Sequence, residues 1–223
     1  MSTKILTAVA LSASAFAWMT SANATLMITA SDTVSGAITL TCSGTSVLTC
    51  TGGPTTDFTS ITAIVTGVPA VPNPDMGTVT LDVTTAAGFT GSDVLTLTAT
   101  QSGLASFPAS TGDTTFTYNG LIGSTAAPGP VTETMTYDGA SSMSHTFPAA
   151  FGSLSAEVIT PLPAATGPFS ETQSVAATFT GPQQDLEATI EFKASVPEPA
   201  SLTLLGSALV GLGWLGRRRR MAS

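Results

Sequence analysis

The stretch TVTLDVT (Thr78 to Thr84) sets Val79, Leu81 and Val83 on one side of an extended chain and four polar residues on the other. Strict alternation of apolar with polar or β-branched residues is the signature of a strand with one buried and one wet face. The same period-two pattern returns in SVAATFT (Ser174 to Thr180), through Val175, Ala177 and Phe179. In LEATIEF it runs through Leu186, Ala188, Ile190 and Phe192. Comparable stretches lie at Leu26–Ala30, Ala37–Cys42, Ser60–Thr66, Val94–Thr100, Thr114–Tyr118, Val131–Tyr137 and Ser153–Ile159. Gly, Pro and Asp-Gly breaks separate them, and no helical period occurs between Thr25 and Val196. About ten short strands, with no repeat at a fixed period, predict an all-β fold: an antiparallel β-sandwich of jelly-roll or Greek-key type.

Two hairpins are expected. Asn119-Gly120, a favoured two-residue turn, is read as joining Phe116–Tyr118 to Leu121–Gly123. Around Asp138-Gly139 a three-residue loop opposes Met135 to Met143, Val131 to Phe147 and Glu133 to His145, which gathers the apolar side chains on one face.

The two ends of the chain differ from this middle. Lys4 precedes an apolar run from Ile5 to Trp18, and Ala22-Asn23-Ala24 offers small residues in the A-x-A spacing of a signal-peptidase site. Residues 1–24 are therefore read as a signal peptide cut after Ala24. At the other end Ala200–Gly216 carries no charge over 17 residues. As a helix that run is about 25 Å long, near the lower limit for crossing a ~30 Å hydrocarbon core. Trp214 sits near its end, and Arg217, Arg218, Arg219 and Arg220 follow directly, a stop that stays cytoplasmic under the positive-inside tendency. Both ends imply one topology, with the middle of the chain exported and anchored at first in the inner membrane.

Three kinds of sorting tail pair a cleavage site with such a helix. A GPI signal ends in its hydrophobic tail and not in arginines. LPAATG (Leu162 to Gly167) is one residue too long, and too early, for a sortase motif, and is read as a proline-rich loop. The order Val196-Pro197-Glu198-Pro199, apolar Gly- and Leu-rich helix, arginines closely resembles the PEP-CTERM sorting signal of Gram-negative bacteria. Met221-Ala222-Ser223 is a small departure from it. The resemblance covers residues 196–223 and is silent on the passenger, residues 25–195. It implies an exosortase as processing partner beside signal peptidase, loss of the helix near Pro-Glu-Pro, and delivery to the cell surface or exopolysaccharide matrix. Pro197 and Pro199 fix φ and lack amide hydrogens, which keeps that linker extended and accessible.

Between Thr25 and Val196 there are 13 acidic residues and one basic residue, Lys193, a formal charge of −12. That balance excludes nucleic acid and anionic lipid as partners held by counterion release. Acidic polysaccharide is repelled unless a divalent cation bridges the two. Threonine supplies 36 of these 172 residues.

Cys42 and Cys50, an even pair in an exported chain, are expected to form a disulfide. A tight four-residue turn at Ser43–Ser46 would hold the sulfurs apart, so a bond calls for a wider loop. No catalytic constellation emerges. Glu133 with His145 reads as a cross-strand polar pair, and no nucleophile elbow accompanies it. Asp185, Glu187 and Glu191 could serve as paired carboxylates for glycoside hydrolysis, yet alternation places Glu187 and Glu191 on the outer face. His145 is the single histidine, so zinc lacks ligands, and no cofactor is expected. Asn73 and Asp75 outline a calcium loop without its spacing, and a Pro-rich turn explains them equally. Tyr118 and Tyr137 are the best candidates for a glycan-stacking surface, although core packing accounts for them too. The reading is an exported, non-enzymatic surface or matrix protein; a glycan-binding module or adhesin, then an extracellular hydrolase, are its alternatives.

Overall fold

The apolar positions of TVTLDVT, SVAATFT and LEATIEF are all enclosed: Val79, Leu81, Val83, Val175, Ala177, Phe179, Leu186, Ala188, Ile190 and Phe192 have no exposed surface. They are so placed in a computed structural model, which describes residues 24–33, 40–53, 55–67, 76–120, 126–139 and 141–195. Twelve strands and no helix occur among the described residues. In chain order they are β1 Thr25–Asp32, β2 Leu40–Gly44, β3 Val47–Gly52, β4 Phe58–Thr66, β5 Thr78–Thr85 and β6 Asp93–Leu104. There follow β7 Ser110–Gly120, β8 Val131–Tyr137, β9 Ser141–Phe147, β10 Gly152–Leu162, β11 Phe169–Phe179 and β12 Asp185–Ser195.

They form two six-stranded antiparallel sheets, ordered β2-β1-β6-β11-β8-β9 and β10-β7-β12-β5-β4-β3. The last eight strands make a nested set, because β8 pairs with β9, β7 with β10, β6 with β11 and β5 with β12. Successive nested pairs alternate between the sheets, which is a long antiparallel ribbon wound over two faces: a jelly roll. Two additions widen it. β1 and β2 extend one sheet beyond β6, and β3 and β4 extend the other beyond β5.

The core lies between the sheets and its largest enclosed side chains include Tyr118, Tyr137, Phe58, Phe116, Phe179 and Phe192. Phe58 meets Phe179 edge-on across the sandwich at 5.5 Å between ring centroids. Aromatic pairs in this geometry add about 0.5–1.5 kcal/mol beyond their buried area. The outer faces carry the threonines, which pair across strands: Thr80 with Thr189 at 3.2 Å, Thr100 with Thr172 at 3.3 Å and Thr132 with Thr146 at 3.1 Å. A β-branched side chain suits the pleat and its hydroxyl finds a partner on the neighbouring strand, which accounts for the abundance of threonine.

The expected register around Asp138-Gly139 is present, with Met135 opposite Met143, Val131 opposite Phe147 and Glu133 opposite His145. Asp138 and Gly139 both take positive φ, at 50° and 64°. The expected turn at Asn119-Gly120 is not there. These are the last residues of β7, and Asn119 pairs with Ser153 on one side and Glu187 on the other. A strand held along its whole length by two neighbours overrides a local turn preference.

The cysteines are joined, with 6.1 Å between their Cα atoms. Neither the tight turn nor a wider hairpin loop connects them, because β2 and β3 belong to different sheets. The chain crosses between the sheets at Thr45-Ser46, where Ser46 has a φ of 71° and its carbonyl accepts a hydrogen bond from the Gly67 amide at 2.6 Å. LPAATG is largely the expected loop, with Leu162 closing β10 and Ala165 making one isolated bridge to Phe107.

Candidate functional site

β12 is an inner strand of its sheet, between β7 and β5, and ends at the exposed Ser195. Val196, Pro197, Glu198, Pro199, the apolar run 200–216 and Arg217–Arg220 follow, outside the described residues. Residues 1–23 with Ala22, the pair Asn73 and Asp75, and the segment Leu121–Gly123 also lie outside them. Ala24 is buried at the mouth of β1. Among the described residues no helix is long and apolar enough to cross a membrane.

The tyrosines are not surface platforms. Tyr118 and Tyr137 are fully enclosed. The Tyr118 hydroxyl donates toward the carbonyls of Pro128, at 2.7 Å, and Ala150, and burial holds its pKa above the ordinary value. Tyr137 packs on Phe169 at 5.1 Å, its hydroxyl has no hydrogen-bond partner, and burial with Glu171 and Asp138 nearby pushes it to about 12. Among the described residues the one exposed aromatic ring is Phe151.

Glu133 and His145 oppose each other, but the pair is not a solvated contact. Glu133 is wholly enclosed on the core face of β8, between Val131 and Met135, and neither of its oxygens has a hydrogen-bond partner. Burial pushes its carboxyl up to about 8; the nearby Thr117 amide opposes the shift without offsetting it. His145 packs edge-on against Phe147 at 4.5 Å instead. Alternation carried Glu133 inward with its apolar neighbours.

Glu187 is exposed and Glu191 is half-buried on the outer face, where Glu191 pairs with Lys193 at 2.7 Å. Asp82 opposes Glu187 across β5 and β12, and burial, then Asp185 and Glu187, raise its pKa. A surface ion pair of the Glu191–Lys193 kind contributes about 0–1 kcal/mol.

A third acidic group was not anticipated. Asp32 closes β1, Asp93 opens β6 and Asp57 immediately precedes β4. Each offers a carboxylate oxygen within 4.8 Å of the others. Asp32 and Asp93 are 8% and 2% exposed, and Asp57 is half-buried. Asp93 Oδ1 accepts from the Thr33 hydroxyl at 2.9 Å and the Val94 amide at 2.7 Å, whereas Oδ2 is buried with no hydrogen-bond donor. Burial, then the adjoining Asp32, raises the Asp93 pKa, against the pull of Thr33 and Val94. No local spacing announces the group, since two strands and the residue before a third bring it together; the one sequence signal was Asp93 falling in phase with the inward-facing Leu95, Leu97 and Ala99.

A family model of the PEP-CTERM protein-sorting motif matches residues 195–220. No characterised protein matches the chain in sequence. Among solved structures, TmCBM61 in complex with beta-1,4-galactotriose is similar at 12% identity and a TM-score of 0.33, over 52% of this chain and 71% of that one. The enzymatically active domain of bacteriophage CBA120 tailspike protein 4 is similar at 11% identity and a TM-score of 0.35. There 75% of this chain aligns with 19% of that one. At these scores nothing about function follows from either.

Proposed function

We propose that the chain carrying this PEP-CTERM motif is an exported structural protein, whose jelly roll is delivered by an exosortase to the cell surface or exopolysaccharide matrix and acts there without catalysis. The observation that carries the reading is the match at residues 195–220, which begins where β12 ends. A cut near Pro197–Pro199 would thus fall after Ser195 and leave every described strand intact. On this reading the arginines belong to the discarded address, and the working protein keeps Lys193 as its one Lys or Arg.

Matrix contact then falls to the outer faces, which are lined by cross-strand hydroxyl pairs such as Thr134 with Ser144 at 3.1 Å. Such faces suit hydrogen bonding to neutral glycans, and they disfavour direct contact with acidic ones. The non-catalytic reading draws support from the enclosure of Glu133 and the packing of His145 on Phe147.

Mass spectrometry of the protein recovered from the surface or medium is the test. A C-terminus near Pro197–Pro199 is expected, and an intact Arg217–Ser223 tail in sorting-competent cells would overturn the proposal. Pro197→Ala with Pro199→Ala should hold the protein in the inner membrane; unchanged display rules against the motif.

A further inference from the structure

We infer that β10 is the contact strand of a homodimer, pairing antiparallel with β10 of a second copy so that two sheets run into one. β10 is paired with β7 along all eleven of its residues, Gly152 to Leu162, with no shift of register. It ends its sheet, and no described strand pairs with its other side. Such an edge turns a row of backbone N–H and C=O groups outward, and proteins that avoid association blunt it with lysine, bulges or brevity. β10 has none of these, and its proline, Pro161, stands one residue from the end. The opposite edge of the same sheet, β3, is six residues long and is tied to β2 by the disulfide.

The core is also left open along this strand. Leu154, Ala156 and Val158 pack against it but are half-buried, whereas the β7 residues opposite them, Tyr118, Phe116 and Thr114, have no exposed surface. Ile159 is 63% exposed, and Phe151, just ahead of the strand, is 50% exposed. Two chains of formal charge −12 repel, so a contact between copies has to avoid the acids; β10 holds one of the 13, Glu157.

The strand is complementary to itself, which favours a second copy as the occupant. Antiparallel pairing about Ala156 sets Leu154 against Val158 of the second copy, Ser153 against Ile159 and Ser155 against Glu157, each twice by symmetry. The half-buried apolar side chains then meet on one face, and Phe151 comes level with Pro161 of the other chain. The two glutamates sit on a diagonal about 7–8 Å long. Pairing about Glu157 would set them directly opposite each other, and pairing about Val158 would set each against Ile159. The two-fold contact uses the edge once in each chain, so it closes as a dimer and does not grow into a fibre. It rests on the sandwich alone and stands or falls apart from the sorting proposal.

Sedimentation of the full chain in mild detergent, across micromolar to millimolar concentrations, should show a monomer–dimer equilibrium. Ser155 is exposed and faces Glu157 of the second copy, so its charge sets the sign of the effect. Ser155→Lys should tighten the dimer by roughly 2- to 30-fold, as two opposite-charge cross-strand pairs allow, and Ser155→Asp should weaken it. Thr41→Lys makes the same charge change at an exposed site on β2, and should shift the equilibrium far less. Ala156→Cys lies on the two-fold axis, where facing Cα atoms about 4.5–5.5 Å apart fit a disulfide, so oxidation should give a covalent dimer. Ser153→Cys should not, because its two copies stand about 20 Å apart along the strands. A chain that stays monomeric at every concentration overturns the dimer and leaves the edge to a foreign strand. A dimer indifferent to both Ser155 substitutions, or one that cross-links as readily through Ser153→Cys as through Ala156→Cys, overturns the pairing of β10.

Discussion

Cys42 and Cys50 lie in opposite sheets, on β2 and β3, and their bond closes the sandwich at the crossover between its two added strand pairs. The jelly roll β5–β12 holds itself together by nested pairing, whereas β1–β4 enter it by one side only, through β6 and β5. A link that short restricts the unfolded chain by about 2–3 kcal/mol in the loop-entropy account. Cys42→Ala with Cys50→Ala should therefore lower stability by about that much, a Tm shift of roughly 4–12 °C for a domain of this size. Hydrogen exchange should show protection lost first in β2 and β3 and last in β7, β11 and β12. Uniform loss across all strands would show that the extension is not a separate layer of stability.

The two buried tyrosines should respond oppositely to loss of the hydroxyl. Tyr118 donates toward Pro128 and Ala150 and receives the Ala150 amide at 3.3 Å. Tyr118→Phe leaves those groups unmet and should cost about 1–3 kcal/mol. The Tyr137 hydroxyl meets no partner, so Tyr137→Phe removes a desolvated polar atom and should be neutral or stabilising by up to about 1 kcal/mol. Urea unfolding of both variants decides it; an equal loss in the two would contradict the assignment of partners.

Gly120 marks a close approach and not a turn. A side chain there would run into the Ala150 carbonyl and the Tyr118 hydroxyl. Gly120→Ala should therefore displace the β7–β10 edge and cost on the order of 3 kcal/mol, in the range of overpacking and strain. Gly139 has open space around it and a φ of 64°, so Gly139→Ala meets only the left-handed penalty of about 1–2 kcal/mol. Thermal melts that rank the two the other way would sink this reading.

The same glycine shows what the sequence could and could not convey. Asn-Gly is a strong local turn signal, but β10 and β12 lie on both sides of β7 and keep it extended. Sheet pairing of that kind joins residues far apart in the chain, as Gly120 with Leu186, and leaves no local trace. Faces were legible because alternation is local: Val79, Leu81, Val83 and the inward residues of β11 and β12 all lie where period two places them. The Asp138-Gly139 register was legible because a three-residue loop satisfies the apolar match of Val131 with Phe147. The partners of Cys42 and Cys50 were legible by count, and their separation into two sheets was not. The acidic group at Asp32, Asp57 and Asp93 escaped for the same reason, since its members meet only after the sheets stack.

Glu133 makes stability depend on pH with a sign opposite to that of a salt-bridged acid. Its carboxyl has a model-peptide value of 4.5 and is pushed up to about 8 in the folded chain, chiefly by burial. Below 4.5 the acid is protonated in both states and contributes no pH dependence. Between 4.5 and about 8 the unfolded chain has released the proton and the folded chain keeps it, so stability falls as pH rises. Above about 8 both states are ionised and the penalty is complete. At about 1.36 kcal/mol per pK unit the full window costs on the order of 5 kcal/mol. Asp82 and Asp93, also raised, add to the decline, so the informative quantity is the difference between wild type and Glu133→Gln. Urea midpoints at about pH 5 and about pH 9 should diverge strongly in the wild type and much less in the variant, because glutamine has no proton to lose. Glu133→Met, apolar and of similar size, should show the same flattening and exclude an effect of the new amide. A decline of equal steepness in all three proteins would mean that Glu133 reaches solvent and titrates as an ordinary carboxylate.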